Sequence, residues 1–205
     1  MTAGIVYVAY GEPALNECAM AIAALRHCTS LPIATIGAEP VVRNPHGVTH
    51  VSFDNPGWGA RWAKLMIDQL SPFDDTIYMD ADTRARSSPA LLLGYLDDGY
   101  DLVIAPSGNQ GMKALEHVER QEREDTFDEF GFTPVQLQAG MFAFRKNART
   151  RVFFEAWRSA WQMTPEPTQD QAALLRALRT TPLRLWLTST AMSEQLIGHL
   201  WGRLH

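Results

Sequence analysis

Short unbroken apolar runs alternate along this chain with longer stretches in which apolar positions recur every three or four residues. The runs predict strands buried on both faces, and the periodic stretches predict amphipathic helices. Gly4–Ala9 is the first run, with Ile5, Val6, Tyr7 and Val8 all β-favouring. Tyr10-Gly11-Glu12-Pro13 breaks it, and Ala14–His27 takes up helical spacing. Ile33–Ile36 and Val48–Phe53 are the next short strands, with loop marked by Pro40, Asn44, Pro45 and Gly47 between them. Asn55-Pro56-Gly57 is a turn before a helix over Ala60–Leu70, whose apolar stripe carries Trp62, Leu65, Met66 and Leu70. Ile77, Tyr78 and Met79 form another buried strand, followed by a helix over Pro89–Leu96 and a strand over Asp101–Ala105.

From Met112 to Phe130 charge is dense, which predicts a solvated helix followed by a flexible loop. Gln138–Arg145 is a strand, and Asn147 caps a helix running to about Gln162 with Val152, Phe153, Trp157 and Trp161 inward. Beyond Pro165 and Pro167, Gln169-Asp170-Gln171 opens a helix to about Leu178, and Leu183–Leu187 is a late strand. No repeat or linker divides the chain. Strands alternating with helices predict one α/β domain over residues 1–205, with a central, mostly parallel sheet and helices on both faces.

Composition narrows the partners rather than the fold. The 205 residues are 46% hydrophobic and 20% charged, ordinary for a globular domain with a substantial core. The net charge of -5 argues against bulk nucleic-acid or anionic-membrane binding. Residues 1–100 hold 6 Lys/Arg against 11 Asp/Glu, whereas residues 101–205 hold 12 of each. An anionic ligand in the acidic half gains from a bridging cation. Cys18 and Cys28, placed on one helix, stand about 15 Å apart and cannot pair, so they read as reduced, packed thiols of a cytoplasmic protein. No apolar run approaches the ~20 residues that span a bilayer. Glu12 and Glu17 interrupt any signal-peptide pattern at the N-terminus.

The candidate chemistry sits at Thr76–Thr83, where a buried strand delivers Asp80 and Asp82 around Ala81. Two carboxylates at that position are costly unless something positive meets them. The C-terminal ends of strands are where open α/β sheets bind ligands. A hard divalent cation that also holds phosphate oxygens suits such a pair. Two aspartates capping a strand-to-helix turn fit the same residues. There is no Gly-x-Gly-x-x-Gly after the first strand to support a dinucleotide site.

Taken in order, these pieces resemble the GT-A-fold glycosyltransferases, and most closely the glycogenin-like retaining family, family 8. Lys64 precedes the strand ending in Asp80-Ala81-Asp82-Thr83. Gln138-Ala139-Gly140-Met141 stands where the family has Asn-Ala-Gly, and Gln169-Asp170-Gln171 where it has an Asp-Gln pair. The C-terminal His199-Leu-Trp-Gly202-Arg-Leu-His205 matches His-x-x-Gly-x-x-Lys. Residues 108–135 carry none of the resemblance. Gln138 replaces the family's Asn, and His205 replaces a Lys that contacts diphosphate.

The resemblance implies a nucleotide-sugar donor, uridine-linked in most of the family, an acceptor of unstated kind, and Mn²⁺ or Mg²⁺ held by Asp80, Asp82 and His199. It implies that Ala9, Tyr10 and Gly11 border the nucleoside, and that Lys64, Ala81, Gly202 and His205 serve the diphosphate. Asp170, Gln171 and Gln138 then face sugar and acceptor. Helix capping is the other reading of Asp170–Gln171, and a half-buried turn tyrosine that of Tyr10. Trp157 and Trp161 read as core, and His27, His46, His50 and His117 as solvated. The basic run Arg145, Lys146, Arg149 and Arg151 reads as surface, with an acceptor-facing role as its alternative. A haloacid-dehalogenase-type phosphatase also follows a strand with Asp-x-Asp, but Arg84 stands where that motif has Thr or Val, and the motif usually ends the first strand. A degenerate sugar-nucleotide-binding scaffold is the non-enzymatic alternative.

Overall fold

Alternate residues of the first strand go to opposite sides of the sheet, and both sides are apolar. Val6 and Val8 enter one core, Ile5, Tyr7 and Ala9 the other. The same holds for the neighbouring strand, with Tyr78 in the first core and Ile77 and Met79 in the second. Strands of this kind need helices on both faces. The computed structural model, which describes residues 1–41, 47–54, 57, 59–163 and 169–199, has that arrangement.

Among the described residues, seven strands make the central sheet: β1 (Ala3–Val8), β2 (Ile33–Gly37), β3 (Thr49–Ser52), β4 (Asp75–Asp80), β6 (Leu102–Pro106), β7 (Leu137–Arg145) and β8 (Leu185–Leu187). Their order is β3-β2-β1-β4-β7-β6-β8. Every neighbouring pair is parallel except those made by β7, which runs antiparallel to β4 and β6. One reversed strand has a functional consequence. It brings the start of β7, with Gln138 and Gly140, to the edge where β1, β4 and β6 end.

Helices α1 (Gly11–Arg26) and α4 (Leu91–Asp97) cover one face. On the other lie α2 (Gly59–Leu65), α3 (Ile67–Leu70), α6 (Ala148–Gln162) and α7 (Gln171–Thr180). The α6 cap is a reciprocal box: Asn147 accepts from the Arg149 and Thr150 amides, and Thr150 accepts from the Asn147 amide. A second sheet pairs β5 (Thr83–Ala85) with β9 (Ile197–His199), carrying the C-terminal part of the chain beside the Asp80–Asp82 turn. Helices α5 (Arg120–Phe130) and α8 (Thr190–Leu196) are the others among the described residues. Among the described residues, no helix is long and apolar enough to cross a membrane.

Several expectations need adjustment. The helix over Ala60–Leu70 is two helices, because the Leu65 carbonyl accepts from Arg158 (2.8 Å) and the Gln69 amide turns back to Met66. Val152 is exposed and Phe154 takes the inward place beside Phe153 and Trp157. In the charge-dense stretch the loop comes first and the helix second. Cys28 lies beyond the end of α1, and both cysteines are free. His50 is half-buried, with Nδ1 3.4 Å from the Thr35 hydroxyl. His46 lies outside the described residues.

Two residues of the basic run, Arg145 and Arg149, are structural, and Arg151 is exposed. Arg145 forks onto Asp75 at 2.7 Å twice and also reaches Asp97, at the sheet end opposite Asp80. Arg149 and Asn147 converge on the buried Asp101, which also accepts from the Arg184 amide. Burial works against that carboxylate, but these bonds outweigh it and hold its pKa below the usual value. Asp101→Ala is expected to lose about 2–3 kcal/mol in urea unfolding at pH 7. Because the folded pKa is depressed, this stabilisation is complete above the unfolded value near 3.9 and is lost as pH falls through the folded one. The gap between wild type and variant should therefore close below about pH 4.

Candidate functional site

The strand ends come together around one cleft of about 700 Å³. Val8 ends β1 and pairs in register with Asp80, which ends β4. Asp80, Ala81 and Asp82 form its floor, Gln138 and Gly140 of β7 one side, and Asp170 and Gln171 at the head of α7 another. Arg61 and Lys64 on α2 and Pro13, Ala14 and Glu17 on α1 close it. The site residues named from sequence in β4, β7, α2 and α7 are thus gathered in one place.

Lys64 is buried at the centre of this charge. Its Nζ lies 2.8 Å from Asp170 Oδ2 and 3.7 Å from Asp80 Oδ1, and 5.1 Å from the Tyr78 ring centroid. Burial by itself would push the ammonium pKa down; Asp170 first and Asp80 second outweigh it and hold it above the usual lysine value. Asp170 makes no cap hydrogen bond, although it occupies the cap position of α7. Its carboxylate serves Lys64, and its carbonyl accepts from the Trp157 indole (2.9 Å). The capping reading of Asp170 therefore gives way to an ion pair.

Asp80 Oδ1 also accepts from the Tyr78 hydroxyl at 2.5 Å. Burial, then the neighbouring Asp80, push the Tyr78 pKa far up, so this phenol stays a donor. Arg84 braces the turn, bonding the Ala81 and Thr83 carbonyls and the Glu17 carboxylate. Gln171 Oε1 is buried without a hydrogen-bond partner among the described residues.

The proposed nucleoside corner is less direct. Ala9, Tyr10 and Gly11 adjoin the described lining of the cleft rather than forming it. Tyr10 donates to the Phe53 carbonyl (2.7 Å) and packs against the core. Burial, then Asp54, raise its pKa to about 12. Gly11 has φ +77°, a left-handed turn that explains the glycine locally.

The oxygen donors Asp80 and Asp82 fit a hard divalent cation. Among the described residues, no group of three or more His, Cys, Asp or Glu gathers as a metal site. The third expected ligand, His199, has its backbone paired to Thr83, one residue past Asp82. Its side chain, Gly202 and His205 lie outside the described residues.

A second cavity, about 680 Å³, opens beyond Gln138 and Gln171. Ser107 and Asn109, just past β6, line it with Arg86, Thr190, Ser193 and Glu194. His117 lines both cavities. Reading His117 as a solvated loop residue missed this; it is exposed, and nothing in the local sequence marks the wall it stands on.

No protein-family model and no curated protein sequence matches the chain. Solved structures do. The galactosyltransferase LgtC, solved with donor and acceptor sugar analogs, superposes with a TM-score of 0.60 at 17% identity, over 90% of this chain and 73% of its own. Mouse xyloside xylosyltransferase 1 gives 0.59 at 12% identity, over 92% and 85%. The glycosyltransferase GlyE of Streptococcus pneumoniae TIGR4 gives 0.57 at 14%, over 91% and 45%. The chain has the GT-A glycosyltransferase fold.

Proposed function

We propose that this protein is a divalent-metal-dependent glycosyltransferase that moves a sugar from a nucleotide diphosphate sugar, uridine-linked, to an acceptor hydroxyl with retention at the anomeric carbon. The observation that carries the reading is the acid pair Asp80/Asp82 at the end of β4, opening into a cleft whose far wall is Asp170–Gln171. Asp80, Asp82 and His199 would hold the cation. A cation there would act as a Lewis acid, compensating charge on the departing diphosphate.

The remaining work falls to the chain itself. Lys64 keeps Asp80 and Asp170 apart in charge and fixed in place. Tyr78 occupies one oxygen of Asp80 and so orients the carboxylate. Gln171 offers an unsatisfied carbonyl oxygen that a sugar hydroxyl can match. Arg61, exposed and bonded to Gln169 at 2.9 Å, is the more accessible cation of this wall. The second cavity, joined to the first at Gln138 and Gln171, is where the acceptor would enter.

A thermal-shift panel of nucleotide sugars with and without Mn²⁺ tests this. A true donor should stabilise the protein only with the metal, by about 2.7 kcal/mol at a hundredfold excess over Kd. No shift with any nucleotide sugar would remove the reading. Binding without hydrolysis or transfer would favour the scaffold alternative, and phosphate release from an aryl phosphate the phosphatase.

A further inference from the structure

The acid turn is held by a guanidinium that takes no part in the proposed chemistry. Arg84 stands two residues past Asp82. Its Nη1 donates to the Thr83 carbonyl at 2.9 Å and to the Ala81 carbonyl at 3.3 Å, and its Nη2 to the Glu17 carboxylate. Resting on the metal-dependent transferase reading, we infer that the Arg84–Glu17 pair is a positioning device for the proposed cation. It fixes Asp80, Asp82 and the strand of His199 in one geometry before a metal arrives.

The turn needs such a brace. Asp80 and Asp82 are like charges one residue apart, and without a cation between them they repel. Strand β5 is three residues long and pairs with the equally short β9 in a sheet of two strands, which is marginal in water by itself. Two side chains oppose this. The buried Thr83 hydroxyl donates to the Asp80 carbonyl at 2.6 Å and closes the turn from its start. Arg84 takes the carbonyl of Ala81, the residue between the two aspartates. The Arg84 backbone is in register with Gly198, the neighbour of His199. One residue thereby ties both carboxylates to the strand that carries the third proposed ligand. Glu17 anchors the guanidinium to α1. The two side chains are only 12% and 21% exposed, so salt screens this pair less than a surface one.

A guanidinium beside a metal site has two opposed effects. Its charge repels a divalent cation, whereas its hydrogen bonds spare the cation the work of ordering the turn. Glu17 cancels the first effect, because the pair carries no net charge, and geometry is what remains. Glu17 itself lines the cleft with Asp80, Asp82 and Asp170. Losing Arg84 alone therefore adds an unbalanced carboxylate to an acidic corner, which by charge would tighten metal binding. Losing both partners leaves the net charge as it was and removes the brace.

Calorimetric titration of uridine diphosphate (UDP) into the full chain with Mn²⁺ tests this. Glu17→Gln/Arg84→Leu should bind about 10–100-fold more weakly than the wild type, the usual cost of losing a group that orients a metal ligand. Arg84→Lys keeps the charge but lacks the planar fork that spans two carbonyls and a carboxylate, so it should lose about 10-fold. Glu17→Gln leaves Arg84 on both carbonyls and should lose less than either. Titration of Mn²⁺ alone, followed by the electron paramagnetic resonance signal of the free ion, should give the same order. The number of sites separates positioning from misfolding. A displaced turn raises Kd at one site per chain, whereas a misfolded fraction lowers the number of sites and leaves the Kd of the rest unchanged. A double variant with the wild-type Kd would overturn the inference, and so would one whose whole loss lies in site number. In either case the wild type's own binding leaves the transferase reading standing. No heat from UDP and Mn²⁺ with the wild type would take both away.

Discussion

Lys64→Met is expected to unsettle the fold and silence the site in one step. Lys64 is the only described cation in contact with the buried Asp170, at 2.8 Å, and it also stands near Asp80. Methionine fills a similar volume but leaves Asp170, 2% exposed, as a buried carboxylate without its counter-charge. Removing one member of such a pair typically costs about 3–5 kcal/mol. The pH dependence separates this from a packing defect. In the wild type the lysine pKa is raised, so its stabilisation is complete below the unfolded value near 10.4 and constant from pH 5 to 8. In the variant the orphaned Asp170 gains a raised pKa from burial, so stability should fall as pH climbs above about 4 and recover as it drops. Urea unfolding should therefore show a larger deficit at pH 7 than at pH 5. Combining it with Asp170→Asn should restore much of the loss at pH 7, because the uncompensated charge goes with the carboxylate. Equal deficits at both pH values would show that Lys64 contributes packing and not charge.

This pair also marks the limit of what the sequence discloses. The strands β1 and β4 are legible because burial on both faces leaves unbroken apolar runs, and Asp80 is legible because the run stops at it. The cap of α6 can be read from Asn147 and Thr150, whose spacing encodes both hydrogen bonds. Lys64 and Asp170 lie in different halves of the chain, and no local pattern announces that the fold spends one on the other. The break after Leu65 has the same origin, since Arg158 arrives from α6 to take a carbonyl. Three-residue strands such as β5 and β9 are too short to show a period. In α6 the consecutive Val152, Phe153 and Phe154 cannot all face inward, and period alone does not say which one is left out. His117 was hidden differently: two residues before it Leu115 has φ +57°, a left-handed conformation that leucine does not advertise.

Asp82→Ala should separate function from stability in the opposite direction. Asp82 stands at the mouth of the Asp80 turn, half-exposed, in a corner already holding Asp80, Asp170 and Glu17. The side chain is half-exposed, so its loss should move the unfolding midpoint of the metal-free protein far less than Lys64→Met does. Donor binding should respond far more strongly. Even groups that only orient a metal ligand cost 10–100-fold in affinity when removed, so loss of a proposed ligand should exceed roughly 100-fold. Calorimetric titration of UDP in the presence of Mn²⁺ should show heat for the wild type and none for the variant. Asp82→Asn keeps the shape and one neutral oxygen, and should recover part of the binding but not the charge. Asp80→Asn should behave differently. It removes the charge next to Lys64 and weakens the acceptor of the Tyr78 hydroxyl, so it should lose stability as well as binding. Were Asp82→Ala to bind UDP with Mn²⁺ as tightly as the wild type, the acid pair would be a structural turn, and the cation would have to be sought at another place in the cleft.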